Sequence, residues 1–230
     1  MAGGIHDNHR ARVRARFAEQ GLAGMHDHEV LELLLFYALP RVDTNPIAHR
    51  LMDAFGSFHA VLEAPVEELA RVDGMGAGSA QFLHLLFETL RRYQTDRAAD
   101  ELHGVGLTTT ELVGAYLTPQ FFGLSEERAL LLCLDSKSKV LSCTELTRGT
   151  VRATEINVRK IVEQAVRVSA SSVVLAHNHP GGLALPSYDD RQTTQRIAET
   201  LRQIGIRLRD HIIVAGEDFV SMADSGQIMY

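Results

Sequence analysis

SSVVLAHNHPGGLALPSYDD, residues 171–190, passes from a short apolar run through two histidines into an acid-bearing helix start. Val173, Val174 and Leu175 read as a buried strand bounded by turn signals. His177 and His179 stand two apart at its end, and in extended chain such positions point to the same side, so two imidazoles converge at a spacing a metal can span. Pro180 has no N–H and stops the ladder. The loop that follows leads to a helix beginning at Ser187, with Asp190 on its first turn. Taken alone, Ser187-x-x-Asp190 is a near relative of a helix N-terminal capping box, and an acid there suits the helix dipole. Beside two converging histidines, the carboxylate completes a set of two nitrogens and one oxygen, which suits zinc with a fourth position left for water.

Outward from this stretch the second half of the chain alternates between strand and helix. TTTELVGAYLT (residues 108–118) reads as a short helix, RALLLCLD as a strand, Asp135-Ser136-Lys137-Ser138 as a hairpin turn and KVLSCTEL as the returning strand. INVRKIVEQAVRVSA is an amphipathic helix that offers Ile156, Ile161, Val162, Ala165, Val166 and Val168 to a core. The helix from Ser187 closes at Gly205, and HIIVAG and DFVSM are two final strands. This order predicts an α/β fold, a mixed sheet flanked by helices.

The first half, up to about Tyr93, reads as all-α. Apolar residues recur at helical spacing in EVLELLLFYAL and NPIAHRLMDAFGSF, with a loop at Pro40 and RVDTNP between them. A helix then ends near Val72, Asp73-Gly74-Met75-Gly76 forms a tight turn, and a second helix starts near Gly78. Residues 94–106 are polar and aperiodic and read as a linker, which divides the chain into a helical module, 1–98, and an α/β domain, 107–230. Arg10, Arg12, Arg14 and Arg16 form a basic run that is either a solvated face or an arm contacting phosphates.

Composition narrows the possibilities. The 230 residues are 45% hydrophobic, as expected of a globular chain, and hold no apolar run long enough for a membrane span. The first seventeen residues are polar and basic, unlike a secretory signal. A cytoplasmic location and no membrane contact are the expectation. A net charge of −6 argues against nucleic-acid binding by charge alone. Cys133 and Cys143 lie in apolar strands and read as core residues, not ligands or a disulfide.

AHNHPGG, with seven residues separating His179 from Ser187-x-x-Asp190, is similar to the JAMM motif of the MPN/JAB metallopeptidases. With Arg148-Gly149-Thr150 upstream and RDHIIVA (209–215) downstream, it looks like the RadC (UPF0758-type) branch of that superfamily. That branch usually reads HNHPSG, and a glycine stands here for the serine. Its usual Pro-Arg-Glu helix start reads Val158-Arg159-Lys160, so Lys160 supplies no acid. The resemblance is strong over 107–230. It implies a JAB/MPN, cytidine-deaminase-like fold, Zn2+ held by His177, His179 and Asp190, and peptide or isopeptide hydrolysis of an unknown peptide or protein substrate. Zinc lowers the pKa of its water to about 7. The family's general acid/base glutamate maps to Glu127, ahead of ALLLCLD, with Glu126, Glu145 and Glu155 as rivals. Ser187 is the implied donor to a developing oxyanion, a role worth roughly 3 kcal/mol. His211, after Asp210, either orients a group near the site or opens a strand with a structural hydrogen bond; the second reading is favoured, and His211 is left outside the site.

Leu69 to Gly76 with the following apolar helix resembles a helix-hairpin-helix, which implies sequence-independent DNA contact through backbone amides. Residues 1–98 carry 10 Lys and Arg against 13 Asp and Glu, net −3, so a structural or protein-binding hairpin is an equal reading. Two further functional classes stay open: a DNA-associated factor whose metal domain recognises without cutting, and a metal-dependent nuclease. Zinc deaminase chemistry is excluded because the chain has no Cys-x-x-Cys.

Overall fold

The computed structural model describes residues 5–148 and 157–228. Contacts divide the chain into two compact units, Met1–Leu90 and Arg91–Tyr230. Among the described residues no helix is long and apolar enough to cross a membrane.

In the first unit the helices are α1 (Ile5–Gln20), α2 (Asp27–Ala38), α3 (Asn45–Phe55), α4 (Phe58–Glu63), α5 (Val66–Leu69) and the first part of α6 (Ala77–Glu101). Leu31 and Leu35, Ile47, Ala48 and Leu51, and Ala80 and Leu83 are spaced three or four apart and meet in one core with Val61 and Leu69. Pro46 sits in the first turn of α3, and Gly56 ends that helix at φ +82°. Helix α6 runs to Glu101, so residues 94–101, read as linker from their polarity, are helical. Their side chains pair along the helix, Arg92 with Asp96 and Arg97 with Glu101, each at 2.7 Å.

Arg10, Arg14 and Arg16 of the basic run make contacts within their own unit, and Arg12 is exposed. The Arg10 guanidinium donates to the carbonyls of Leu39 at 2.7 Å and Pro40 at 2.9 Å, and also to that of Val42, just past the end of α2. These carbonyls have no partner inside a helix, and a cation there also suits the dipole. Arg14 lies over the rings of Phe36 and Tyr37, and Arg16 lies 2.6 Å from Glu29. The run therefore fastens α1 to α2.

The turn after α5 brings its backbone close to α3. Gly74 has φ +91°, and a Cβ there would sit 2.7 Å from Ile47 Cγ1. Gly74→Ala is therefore expected to destabilise the N-terminal unit by about 2–4 kcal/mol, through left-handed strain and overpacking acting together. Urea unfolding of the full chain checks this; an unchanged midpoint for the helical unit would count against it.

The second unit is built on a five-stranded mixed sheet ordered β2-β1-β3-β4-β5, with β1 (Arg128–Leu134), β2 (Val140–Arg148), β3 (Ser172–Asn178), β4 (Arg207–Ala215) and β5 (Asp218–Ser221). β3 and β4 are parallel and joined through α9 (Tyr188–Gln203); the other pairs are antiparallel. The two central strands β1 and β3 are buried almost end to end because both faces of the sheet are covered. On one face Ala129, Leu131, Cys133, Val173, Leu175 and Leu208 meet Ile161 and Ala165 of α8 (Val158–Arg167) and Ile197 and Leu201 of α9. On the other, Leu130, Leu132, Val174 and Ile212 meet Val113 and Leu117 of α7 (Thr110–Leu117). Cys133 and Cys143 are free and belong to opposite faces, which rules out a bridge between them. Lys160 in α8 donates to the carbonyls of Glu145 at 3.1 Å and Leu146 at 2.7 Å, which anchors the helix on β2. Ile156, Glu155 and the Gly149-Thr150 pair lie outside the described residues.

Candidate metal centre

The end of β3 and the start of α9 bring three side chains together. His177 is the last but one residue of β3, and His179 follows on the same side of the pleat. Asn157 begins α8 and Ser187 begins α9 as N-caps; Ser187 Oγ accepts from the Asp190 amide at 3.1 Å. In return Asp190 Oδ2 accepts from the Ser187 amide at 2.7 Å and its hydroxyl at 2.6 Å. The cap and the site are thus one device: satisfying Oδ2 turns Oδ1 toward the histidines. His177 Nε2 lies 2.9 Å from His179 Nε2 and 3.4 Å from Asp190 Oδ1, and His179 Nε2 lies 3.8 Å from Asp190 Oδ2.

Metal–ligand bonds of about 2.0–2.1 Å in a tetrahedron put neighbouring donors roughly 3.3 Å apart, and the separations of His177 Nε2 from His179 Nε2 and from Asp190 Oδ1 straddle that value. Among the described residues this is the one group of three such side chains whose donor atoms all lie within 4.8 Å of one another.

Hydrogen-bond direction adds an independent argument. His179 Nδ1 lies 3.0 Å from the Leu183 carbonyl, which can only accept, so Nδ1 carries the hydrogen and Nε2 is bare. If His177 likewise presents a bare Nε2, two lone pairs face each other at 2.9 Å next to a carboxylate. Such a contact is repulsive unless a cation sits among the three atoms.

Electrostatics point the same way. Burial works to raise the Asp190 carboxyl, but when His177 carries a proton on Nε2 its hydrogen bond and charge, together with the Ser187 donors, overcome it and hold the group well below the usual carboxylate range, so a cation among these atoms is favoured whether it is a proton or a metal. His211 is fully buried, and burial followed by its proximity to His177 drives it well below an ordinary histidine, so its ring is neutral.

Of the two readings of His211, the structure supports the one beside the site: it lies inside β4 rather than at a strand opening, with its Nε2 2.8 Å from His177 Nδ1. Its Nδ1 is 2.6 Å from Thr194 Oγ1, one turn beyond Asp190 on α9. The structural duty falls to its neighbour: Asp210 accepts from the amides of His211 and Ala223 and from Ser221 Oγ. The omission has a physical origin. A bulge between Val173 and Val174 in the pairing of β3 with β4 sets Leu175 opposite His211 and shifts Asp210 to the other face. Simple alternation from Leu208 would have chosen Asp210. Thr194, four residues past Asp190, was the available signal.

Ala129 is the Cα partner of His177 and belongs to the α8–α9 face, and Glu127 lies just ahead of β1, two residues before it. Asn178 holds this segment against β3: its Oδ1 accepts from the Arg128 amide at 2.7 Å, and its Nδ2 donates to the Glu126 carbonyl at 3.1 Å. Glu145 is paired with Leu130, on the opposite face, and lies 3.2 Å from Arg128. Glu126 has the same parity as Leu130 and lies 3.8 Å from Arg148. The Ser187 hydroxyl, implied as an oxyanion donor, gives its hydrogen to Asp190 in this structure.

A family model described as a RadC-like JAB domain matches residues 107–227. A UPF0758 protein of Ruegeria pomeroyi is 33% identical over 221 residues, covering 96% of this chain and 97% of that protein. A UPF0758 protein of Fusobacterium nucleatum subsp. nucleatum is 32% identical over 224 residues, again 96% of this chain and 97% of its own length.

Proposed function

The chain belongs to the RadC-like JAB domain family, and from that membership we propose that His177, His179 and Asp190 hold one zinc ion in a centre that hydrolyses a peptide or isopeptide bond of a protein substrate. The observation that carries this is the convergence of two ring nitrogens and a carboxylate at 2.9–3.8 Å. Zinc held there polarises a carbonyl oxygen and acidifies water.

The remaining work belongs to the chain's own groups. Glu127 takes the proton of the attacking water and returns it to the departing amine, a role worth about 10²–10⁴ in rate. Ser187 acts first as a positioning residue for Asp190. Rotation of its hydroxyl toward a substrate oxyanion would still leave Oδ2 the Ser187 amide as a donor. Readings as a nuclease or as a non-catalytic DNA-associated factor gain nothing from the basic run, since Arg10, Arg14 and Arg16 are engaged within the helical unit.

Purified full-length protein is expected to contain about one zinc per chain by elemental analysis. It is expected to cleave members of fluorogenic peptide and isopeptide libraries, to lose that activity on chelation and to regain it when zinc is restored. Protein that takes up no divalent metal, or cleavage indifferent to chelation, would overturn the proposal.

A further inference from the structure

A buried hydrogen-bonded chain runs behind the centre and has only one self-consistent direction. Thr194 Oγ1 lies 2.6 Å from the Asp190 carbonyl, 2.6 Å from His211 Nδ1 and 3.6 Å from Met222 Sδ. A hydroxyl has one hydrogen, and a carbonyl can only accept. At 2.6 Å an undonated contact between the two oxygens would be a buried lone-pair repulsion, so the hydrogen goes to Asp190. Oγ1 must then accept from His211 Nδ1–H. His211 is buried with a hydroxyl and an imidazole against its two ring nitrogens and no acid among the described residues hydrogen-bonded to its ring, and a buried charge without a paired acid is costly, so one nitrogen stays bare: its Nε2, which accepts from His177 Nδ1–H at 2.8 Å. A histidine that binds a metal is neutral, so His177 with its hydrogen on Nδ1 has a bare Nε2 facing His179 and Asp190.

We infer that Thr194 and His211 are positioning residues that set the tautomer of His177, so that its Nε2 is presented bare for a metal. The chain begins on the backbone of Asp190, whose carboxylate is the third donor. One turn of α9 therefore orients two of the three donors: the carboxylate through Ser187 and His177 through Thr194. His179 has its own orienting acceptor in the Leu183 carbonyl. Such orienting partners are ordinarily worth about 10–100-fold in metal affinity. A purely packing role for Thr194 predicts something different, because valine has nearly the same shape.

Thr194→Val removes the acceptor for His211 Nδ1–H. His211 is then free to take the Nε2–H tautomer, donate to His177 Nδ1 and force a hydrogen onto His177 Nε2. The expected result is a roughly 10–100-fold weaker affinity for Co2+, followed by its visible absorption and by competition with Zn2+. Thr194→Ser, which keeps the hydroxyl, should restore affinity to within about threefold of wild type. Long-range 1H–15N spectra of the metal-free protein at pH 8 report the tautomer directly: Nδ1–H for His177 in wild type, and an Nε2–H population in Thr194→Val. The wild-type spectrum needs no variant, so a Thr194→Val chain that fails to fold leaves the inference open to refutation: His177 carrying Nε2–H in wild type would overturn it. Unchanged Co2+ affinity in folded Thr194→Val would overturn it equally. The inference rests on the metal reading of the centre. Wild-type protein that takes up no Co2+ would overturn that reading, whereas wild type that binds it with Thr194→Val unaffected would overturn only the role of Thr194.

Discussion

Asp190→Asn is expected to abolish metal binding while leaving the fold intact. Oδ2 of Asp190 accepts from the amide and hydroxyl of Ser187, and an asparagine oxygen can accept both, so the cap of α9 survives. The amide NH2 then occupies the position of Oδ1, 3.4 Å from His177 Nε2. It offers a hydrogen to the bare nitrogen where a cation would sit, and it brings no charge to balance one. Loss of the ligand should weaken zinc binding by about 100-fold or more, beyond what losing an orienting partner alone costs. The metal-free variant should unfold within about 1 kcal/mol of metal-free wild type, since only the charge–dipole term at the helix start is lost. Thermal unfolding with and without zinc separates the two effects. At a hundredfold excess over Kd, wild type gains about 2.7 kcal/mol from binding, which raises its midpoint by roughly 5–10 °C, and the variant gains nothing. A variant that retains one zinc per chain would remove Asp190 from the ligand set.

Glu127→Gln is expected to keep the metal and lose the chemistry. Glutamine preserves size and hydrogen-bonding capacity but cannot take and return a proton, so kcat should fall by about 10²–10⁴ with metal content unchanged. The same change at Glu126 or Glu145 should leave kcat within about threefold, because each acid already faces an arginine and Glu145 pairs with Leu130 on the opposite face of the sheet. These three variants, compared on one substrate at saturating zinc, decide the assignment. If Glu126→Gln is the slow one, the first residues of β1 adopt another register when substrate is bound; if none is slow, the proton is carried by another group.

The site's legibility in the sequence varied with distance along the chain. His177, His179 and Asp190 fall within fourteen residues, where strand alternation and helix capping are local rules that need no partner. Glu127 is reached only by resemblance, since a glutamate ahead of a strand looks like any exposed charge. Its rival at 145 falls on the opposite face only once β1 is paired with β2. His211 was misread because its face depends on one bulge, and its partner lies 34 residues earlier in the chain. The arginines of α1 showed charge but not destination: the carbonyls that Arg10 meets are 29–32 residues away. Residues 94–101 read as linker because their polarity hid a helix held by pairs four apart.

What the order of amino acids determined alone was the alternation of strand and helix in the second half and the convergence of His177, His179 and Asp190, because periodicity and capping act between neighbours. What only the tertiary structure decided was the face on which each distant group lies. A single extra residue in a strand inverts every side chain beyond it, and here that inversion puts a histidine behind His177 and turns Asp210 away.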